Sequence, residues 1–345
     1  MKSLTRTFRW ELLLVGLIVL AFVWGSFLSP YFLNLNNLVF SAQTFVIFAL
    51  MAFGLFPIVV QGEIDISLAS TLAVGSVLFA TFSVNGIPLI VALPVVIAIC
   101  AGLGAINGYL VAYLGLPSLA VTLGTLGAYR GLAYILAGDA GVTGITQEYK
   151  QIAEIWLGGI PLLLIMIPVA ALLFGVLMGW TRFGRASYAI GNSADASRMA
   201  GMNVNLNRVG AYALAGAMSG LAGLVWVAQY QSARGDNADG TILFVVTAVV
   251  LGGVSIKGGS GRALGVFLAL LLLATLQTGM RLANVPGTSQ TLVIGLLLIL
   301  SVGVPSLVSQ LRQRFGAKKP ATPAFLPSEG ETAGSEGASA PTEKV

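Results

Sequence analysis

The sequence has few charges, no histidine and a single cysteine, and each shortage excludes a class of protein or site. Only 9% of its 345 residues are charged, whereas soluble domains carry about 25%. Without histidine there is no Ser-His-Asp triad, no histidine metal ligand and no histidine proton relay. The lone Cys100 excludes an intrachain disulfide and a cysteine zinc cluster. We therefore predict that the chain has no catalytic site, no metal site and no cofactor of its own.

A phosphate-binding G-x-x-x-x-G-K-S/T loop is also missing, so the chain does not hydrolyse ATP by that route. What the sequence has instead is apolar residues, which make up 57% of it. Leu12–Gly62 and Ile66–Tyr129 contain no charged residue, and apolar runs of more than about 18 residues indicate membrane spans. Glycine is abundant at 43 residues, which favours close helix packing. These features predict an all-α fold, a polytopic membrane helix bundle.

We predict about ten transmembrane helices from the apolar runs. They cover Leu12–Leu28, Gln43–Val60, Ile66–Phe82, Pro88–Tyr113, Pro117–Ala137, Pro161–Trp180, Val209–Gln229, Thr241–Ile256, Ala263–Met280 and Thr291–Leu311. The first follows three basic residues and resembles a signal peptide, but no clear cleavage site follows it, so we interpret it as a retained anchor.

Lysine and arginine in the connecting segments predict the orientation, because cytoplasmic loops are enriched in them. With the N-terminus in the cytoplasm, 14 of the 18 basic residues fall on the cytoplasmic side. An even number of spans then places both termini in the cytoplasm. The net charge of +5 is explained by these loops and calls for no nucleic acid.

The predicted organisation has three parts. Residues 1–11 form a cytoplasmic N-terminus, 12–311 form the transmembrane domain, and 312–345 form a cytoplasmic tail rich in Pro, Ser, Gly and Glu that is expected to be disordered. Two longer hydrophilic stretches interrupt the spans, one outside at 138–159 and one inside at 181–208.

An acidic pair, Glu63 and Asp65, borders two long apolar runs. Carboxylates in such positions are costly in a membrane and are usually functional, which favours a proton or substrate site. The alternative is a short interfacial turn in which Asp65 or Ser67 caps the next helix. The sequence leaves both interpretations open.

The fifth span combines a polar stripe with a glycine stripe. At 100° per residue, Thr122, Thr125 and Tyr129 share one face, Arg130 lies at its edge, and Gly124, Gly127 and Gly131 lie opposite. Such a helix could pack by its glycines and present its hydroxyls to a polyhydroxylated solute. The stripe could equally be hydrogen-bonded to neighbouring helices, and Arg130 could extend to the outer interface. The candidate pathway residues are Glu63, Asp65, Asn107, Thr122, Thr125, Tyr129 and Arg130.

Small residues recur at helical spacing in two further spans, which indicates helix packing. One stripe is Cys100, Gly104 and Gly108, and the other is Gly216, Gly220 and Gly223. A glycine-rich stretch, Leu251–Gly265, adjoins a short span and suggests a broken helix or a tight turn. The inner loop contains Asn192–Gly201, an alanine-rich segment ending at glycine, which is either a plain basic loop or a short helix that docks a cytoplasmic partner.

Four motifs in this order resemble the permease subunits of ribose/xylose/galactoside-type ABC importers, including those for rhamnose and autoinducer-2. They are Gly62-Glu-Ile-Asp-Ile-Ser67, Leu123-Gly-Thr-Leu-Gly-Ala-Tyr-Arg-Gly131, Phe183–Asn192 with the segment after it, and Val249–Gly253 with Lys257–Gly261. The resemblance extends from about Ser29 to Leu311. One departure is Glu63, where the family usually has glycine.

The resemblance implies an inner-membrane transport subunit that is not an enzyme. Two permease chains, identical or different, would form the pathway for a monosaccharide of ribose, xylose or rhamnose type. A periplasmic solute-binding protein would deliver the solute, and a cytoplasmic ATP-binding subunit would hold the ATP and magnesium. The segment matching Ala194–Gly201 would be the coupling helix. The coupling residues would be Arg185, Asn192, Ala194, Asp195, Ala196 and Gly201.

Other functions remain open on the sequence alone. The solute could be autoinducer-2, a nucleoside or a branched-chain amino acid, since permeases for these share the general plan. A proton-coupled secondary transporter using Glu63 and Asp65 is a further alternative, and it would transport without any ATPase. A membrane scaffold without transport is disfavoured by the polar residues inside the spans.

Overall fold

A computed structural model describes the backbone of residues 2–315 and the side chains of residues 10–303. Its helices are α1 (Lys2–Leu28), α2 (Leu35–Val60), α3 (Leu68–Val84), α4 (Leu89–Ala112), α5 (Ser118–Ala137), α6 (Gln147–Glu154), α7 (Leu162–Trp180), α8 (Arg182–Asn192), α9 (Ala194–Met199), α10 (Val204–Tyr230), α11 (Ile242–Leu251), α12 (Ala263–Leu282) and α13 (Gly287–Phe315). Two short strands, β1 (Trp156–Leu157) and β2 (Ile160–Pro161), pair antiparallel. Residues up to Gly303 form one compact unit, and a second begins at Val304. Of the tail predicted at 312–345, residues 316–345 lie outside the described residues.

Each of the ten predicted spans overlaps a helix. In the described part of the chain, α1, α2, α4, α5, α7, α10 and α12 are long and apolar enough to cross a membrane. Three further apolar helices are shorter there, namely Leu68–Val84, Ile242–Leu251 and Gly287–Gly303. The protein is therefore a polytopic helical membrane protein.

The eighth predicted span, Thr241–Ile256, is shorter in the structure than the apolar run suggested. Its helix α11 has ten residues, about 15 Å at 1.5 Å per residue, roughly half of a hydrocarbon core. Gly252 and Gly253 end it, and Gly253 takes a left-handed φ of 84° that favours glycine. The hydrophilic stretch 138–159 contains α6, β1 and the turn that leads to β2.

Local sequence explains where several helices begin. Pro88, Pro117 and Pro161 each stand immediately before a long helix, where their missing N–H is no loss. Thr181 and Ser193 cap α8 and α9 by accepting hydrogen bonds from Gly184 N and Ala196 N, each at 3.2 Å. The stretch 181–208 thus consists mostly of two short capped helices.

Helix α10 lies at the centre of the bundle, where it packs against α2, α3 and α4. The predicted glycine stripes of α4 and α10 face each other. A Cβ on Gly104 would collide with the carbonyl oxygen of Tyr212, and one on Gly216 would collide with that of Cys100. Glycine at these positions lets the two backbones touch, which is how small residues bring membrane helices together.

The segments that connect the apolar helices lie alternately at one end of the bundle and at the other. At one end, Trp10 Nε1 donates to Leu251 O at 3.0 Å, and Gly259 N donates to Val60 O at 2.8 Å. At the other end, Tyr149 Oη donates to Ile87 O at 2.7 Å. Burial raises the pKa of Tyr149 to about 12, so this hydroxyl remains a donor at physiological pH. Successive helices therefore run in opposite directions through the bundle.

Candidate functional site

The segment Gln61–Ser67 joins α2 to α3 without helical structure inside the packed bundle. Asp65 is 1% exposed, and its Oδ1 accepts hydrogen bonds from Ser67 N at 2.8 Å and Ser67 Oγ at 2.6 Å. The carboxylate therefore forms an Asx turn at Ser67, the residue before α3, whose own side chain makes no capping hydrogen bond to the helix. Its other oxygen, Oδ2, is buried and has no hydrogen-bond partner among the described side chains and backbone.

A chain of buried hydrogen bonds connects Asp65 to α4 and α5. Asn107 Nδ2 donates to Ser67 Oγ at 2.9 Å, and Tyr129 Oη donates to Asn107 Oδ1 at 3.1 Å. The same tyrosine hydroxyl lies 2.9 Å from Leu103 O. Four side chains on three elements thus form one polar chain in an apolar surrounding, where each bond depends on its neighbours.

The backbone of Ile64 is held from two more helices. Its carbonyl lies 3.5 Å from Thr122 Oγ1 and 3.4 Å from Tyr212 Oη, and its N–H points to Ser118 Oγ at 3.4 Å. Thr122 and Tyr212 are both fully buried. Non-helical backbone at membrane depth is tolerated only where protein groups satisfy it, and these contacts do so.

Glu63 points away from this group. Its Oε1 lies 3.0 Å from Arg208 Nη2, and the two side chains are 16% and 17% exposed. The pair joins the α2–α3 segment to the first turns of α10. Glu63 and Asp65 are therefore two residues apart in sequence but have different partners.

Arg130 lies at the opposite end of α5. Its Nη1 donates to Gly235 O at 2.8 Å and to Asn237 O at 2.7 Å. These carbonyls belong to the non-helical stretch between α10 and α11, and Asn237 Nδ2 in turn donates to Ser76 Oγ at 2.9 Å. Arg130 therefore holds a second irregular segment against α3 and α5.

Thr125 and the glycines of α5 show how this helix is oriented. Thr125 Oγ1 contacts only Val121 O and Thr122 O in its own helix, at 3.1 and 3.4 Å. Added Cβ atoms on the glycines of α5 would meet nothing within 4 Å; these glycines are Gly124, Gly127 and Gly131. Within one chain the polar stripe faces the bundle and the glycine stripe faces outward. Glycine packing of α5 inside this chain, which the sequence suggested, does not occur.

The predicted coupling residues lie in and around α8 and α9. Arg185, Asn192, Asp195, Ala196 and Gly201 are exposed, and Ala194 is half-buried. Gly201 ends the α9 turn with a φ of 79°, a conformation that favours glycine. Sequence reasoning did not single out Met199, which is 89% exposed on α9.

The structure joins four of the seven predicted pathway residues. Asp65, Asn107 and Tyr129 share one hydrogen-bonded chain, and Thr122 adjoins it through Ile64 O. The other three, Glu63, Thr125 and Arg130, lie outside that group. Sequence reasoning missed several partners, because a polar side chain can be seen in the sequence but its neighbours in the fold cannot. These partners are Gln61, Ser187, Asn207, Arg208 and Tyr212. In residues 10–303, no three His, Cys, Asp or Glu side chains come together as a metal site would require.

Comparison with known proteins gives a consistent result. Residues 37–302 match the family described as branched-chain amino acid transport system / permease component. The chain is 35% identical over 306 residues to the autoinducer 2 import system permease protein LsrD of Yersinia pseudotuberculosis serotype O:1b (strain IP 31758), covering 87% of this chain and 92% of that protein. LsrD of Salmonella typhimurium (strain LT2) is 34% identical over 303 residues, 86% of this chain and 91% of the relative. No solved structure matches the chain.

Proposed function

The chain belongs to this permease family and is the inner-membrane permease component of an ABC importer, and we propose that it carries a small polyhydroxylated solute. The observation that supports the proposal most is the similarity to LsrD, which extends over 87% of the chain. The relatives are named for autoinducer 2, so autoinducer-2 is the first solute to test. A monosaccharide of ribose, xylose or rhamnose type is the second, because it offers the same neutral hydroxyls.

We further propose that the polar chain around Asp65 shapes the solute pathway. Hydroxyl, amide and carboxylate groups suit a solute that both donates and accepts hydrogen bonds. Asp65 Oδ2 is the acceptor that this arrangement leaves without a partner. The polar groups of this arrangement are buried in a single chain; they are Asp65, Asn107, Thr122 and Tyr129. Because they are buried, they would contact the solute only after the segment between α2 and α3 moves. Thr125 lies one turn from Thr122 and Tyr129, and Arg130 would shape the outer entrance.

The proposed topology has ten passes with both termini in the cytoplasm. It rests on the alternation of the two loop ends and on the basic residues of α8 and α9. The periplasmic solute-binding protein would dock on the end that carries α6, and the cytoplasmic ATP-binding subunit would dock on the end that carries α9. A second permease chain would complete the pathway, and the outward glycine face of α5 leaves room for a close approach.

Purification and reconstitution together test this proposal. The tagged chain is isolated from its native membranes in mild detergent, and its partners are identified by mass spectrometry. We expect an ATPase with phosphate-binding loops, and the presence or absence of a different permease chain then distinguishes a heterodimer from a homodimer. The complex is next reconstituted with its binding protein, and ATP-dependent uptake of autoinducer-2, ribose, rhamnose and leucine is measured.

Uptake of autoinducer-2 or a monosaccharide would support the proposal. Uptake of leucine alone would move the assignment to a branched-chain amino acid permease. A chain that purifies alone and transports without ATP, with uptake abolished by a protonophore, would contradict an ATP-driven role and support a proton-coupled transporter.

Replacing Tyr129 by phenylalanine tests the buried polar chain. The substitution removes a hydroxyl bonded to Leu103 O and Asn107 Oδ1, and leaving such buried groups unpaired costs about 1–3 kcal/mol. We expect an uptake rate reduced by about fivefold or more with normal complex assembly. Thr125→Ala is the matched variant on the same helix, because its hydroxyl bonds only its own helix; it should lower uptake less. Unchanged uptake in both variants would show that the stripe serves packing alone.

A further inference from the structure

The segment between α2 and α3 is in contact with the cytoplasmic helices on one side and with the buried polar chain on the other. Gln61 Nε2 donates to Ser187 Oγ on α8 at 3.1 Å and to Asn207 Oδ1 on α10 at 2.9 Å. Ser187 Oγ also lies 2.9 Å from Asn207 Oδ1. Three side chains from three elements thus form a closed polar triangle at the cytoplasmic end.

The ion pair of Glu63 with Arg208 adds a charged contact next to this triangle. Arg208 follows Asn207, and Glu63 follows Gln61 by two residues, so the two contacts connect the same pair of elements. At 16% and 17% exposure the charges are largely withdrawn from water. A partly buried pair of this kind is sensitive to the loss of one partner, since the remaining charge stays without compensation.

A third contact joins α8 to the same region through the backbone. Gly191 packs directly against Val60 O, and Gly259 N donates to that carbonyl at 2.8 Å. Asn192 Nδ2 lies 3.4 Å from Gly259 O. The last residues of α8, which lead directly into α9, are therefore tied to the end of α2.

We infer that five residues couple the cytoplasmic helices to the α2–α3 segment, an inference that rests on the proposed function. We call them the coupling clasp: the ion pair of Glu63 with Arg208 and the polar side chains of Gln61, Ser187 and Asn207. The clasp transmits displacement of α8 and α9 to Asp65 and its polar chain. Only Ile64 separates Glu63 from Asp65, so the segment cannot shift at one residue without moving the other. Glu63 is thus a positioning residue on the cytoplasmic side and does not contact the solute.

Charge reversal tests the clasp in the reconstituted importer with its ATPase and binding protein. The readout is the number of solute molecules taken up per ATP hydrolysed, using whichever of autoinducer-2, ribose or rhamnose the wild type transports. Glu63→Arg and Arg208→Glu each place two like charges about 3 Å apart. We expect each to lower the ratio by about tenfold, and we expect the double exchange to restore it to within about twofold of wild type.

The ion pair of Glu11 with Arg262 is the matched control. It lies at the same end of the bundle at 3.5 Å, with side chains 11% and 43% exposed. Among the described residues, neither side chain forms a hydrogen bond or ion pair with the α2–α3 segment. Exchanging these two charges should leave the ratio unchanged. Glu63→Gln, which keeps the side-chain size, and Arg208→Gln, which shortens the side chain, remove one charge each and replace the reversals if those fail to assemble; each should lower the ratio severalfold.

The outcomes separate the clasp from the proposed function. A wild-type complex without ATP-dependent uptake of any of the three solutes would contradict the function. A coupled wild type whose single variants keep the ratio would overturn the clasp. Single variants that lose uptake and ATP hydrolysis in proportion, without rescue by the exchange, would indicate a purely structural role and would also overturn it.

Discussion

Gly216→Val is expected to prevent the chain from folding into its compact unit. A Cβ at this position would collide with Cys100 O, and Gly104 lies beside the same contact on the facing helix. Relief would require α4 and α10 to separate, and α10 is the helix on which α2, α3 and α4 pack. Forced overpacking of a close contact costs typically 1–3 kcal/mol and more where backbone is the obstacle. We expect at least a tenfold lower yield of monodisperse protein in size-exclusion chromatography.

Gly102→Val on α4 is the matched control. It introduces the same side chain into a long apolar helix, but an added Cβ at Gly102 meets nothing within 4 Å. Its yield and thermal transition should equal those of the wild type. A Gly216→Val protein with wild-type yield would show that the two helices can separate without loss of the fold.

Asp195→Arg should abolish association with the ATPase while the membrane domain stays intact. Asp195 lies on α9, its side chain is 85% exposed, and within residues 10–303 it forms one ion pair, with Arg198 at 2.8 Å on the same helix. Such exposed pairs contribute about 0.2–1 kcal/mol to stability, so the fold should tolerate the change. A reversed charge at a docking surface repels the partner's complementary group. We expect at least tenfold less ATPase in the purified complex.

Asp236→Arg provides the comparison at the other end of the molecule. Asp236 is also exposed and paired with a nearby arginine, Arg234, at 3.1 Å. The variant should retain the ATPase in full, because the cytoplasmic end is unchanged. Equal retention by both variants would exclude α9 as the docking helix.

The sequence predicted the positions of the apolar helices, because each apolar run is a local property. Long uncharged runs and prolines such as Pro88 and Pro117 mark them directly. The small-residue stripes of α4 and α10 were correctly read as packing surfaces, because Gly104 and Gly216 repeat at helical spacing. The eighth span was predicted to end too late, at Ile256, because the apolar run continues past Gly252; the tight turn that the glycines of Leu251–Gly265 suggested is present there.

The candidate site was less predictable, because its contacts join residues far apart in the chain. The pairing of Glu63 with Arg208 spans 145 positions and has no local signature. The orientation of α5 could not be predicted from the sequence either, because its polar and glycine stripes are opposite faces of one helix and either could face the bundle. Only the packing partners, α3 and α4, decide which face turns inward.

The central position of α10 has a consequence for synthesis of the chain. Gln61 and Glu63 leave the ribosome before Asn207 and Arg208 exist, and at about 5–20 residues per second the delay is roughly 7–30 s. During that time the segment between α2 and α3 holds polar groups whose partners on α10 have not been made. These polar groups therefore need other partners at the insertion machinery for that time, and the packing of the bundle is completed only after α10 enters the bilayer.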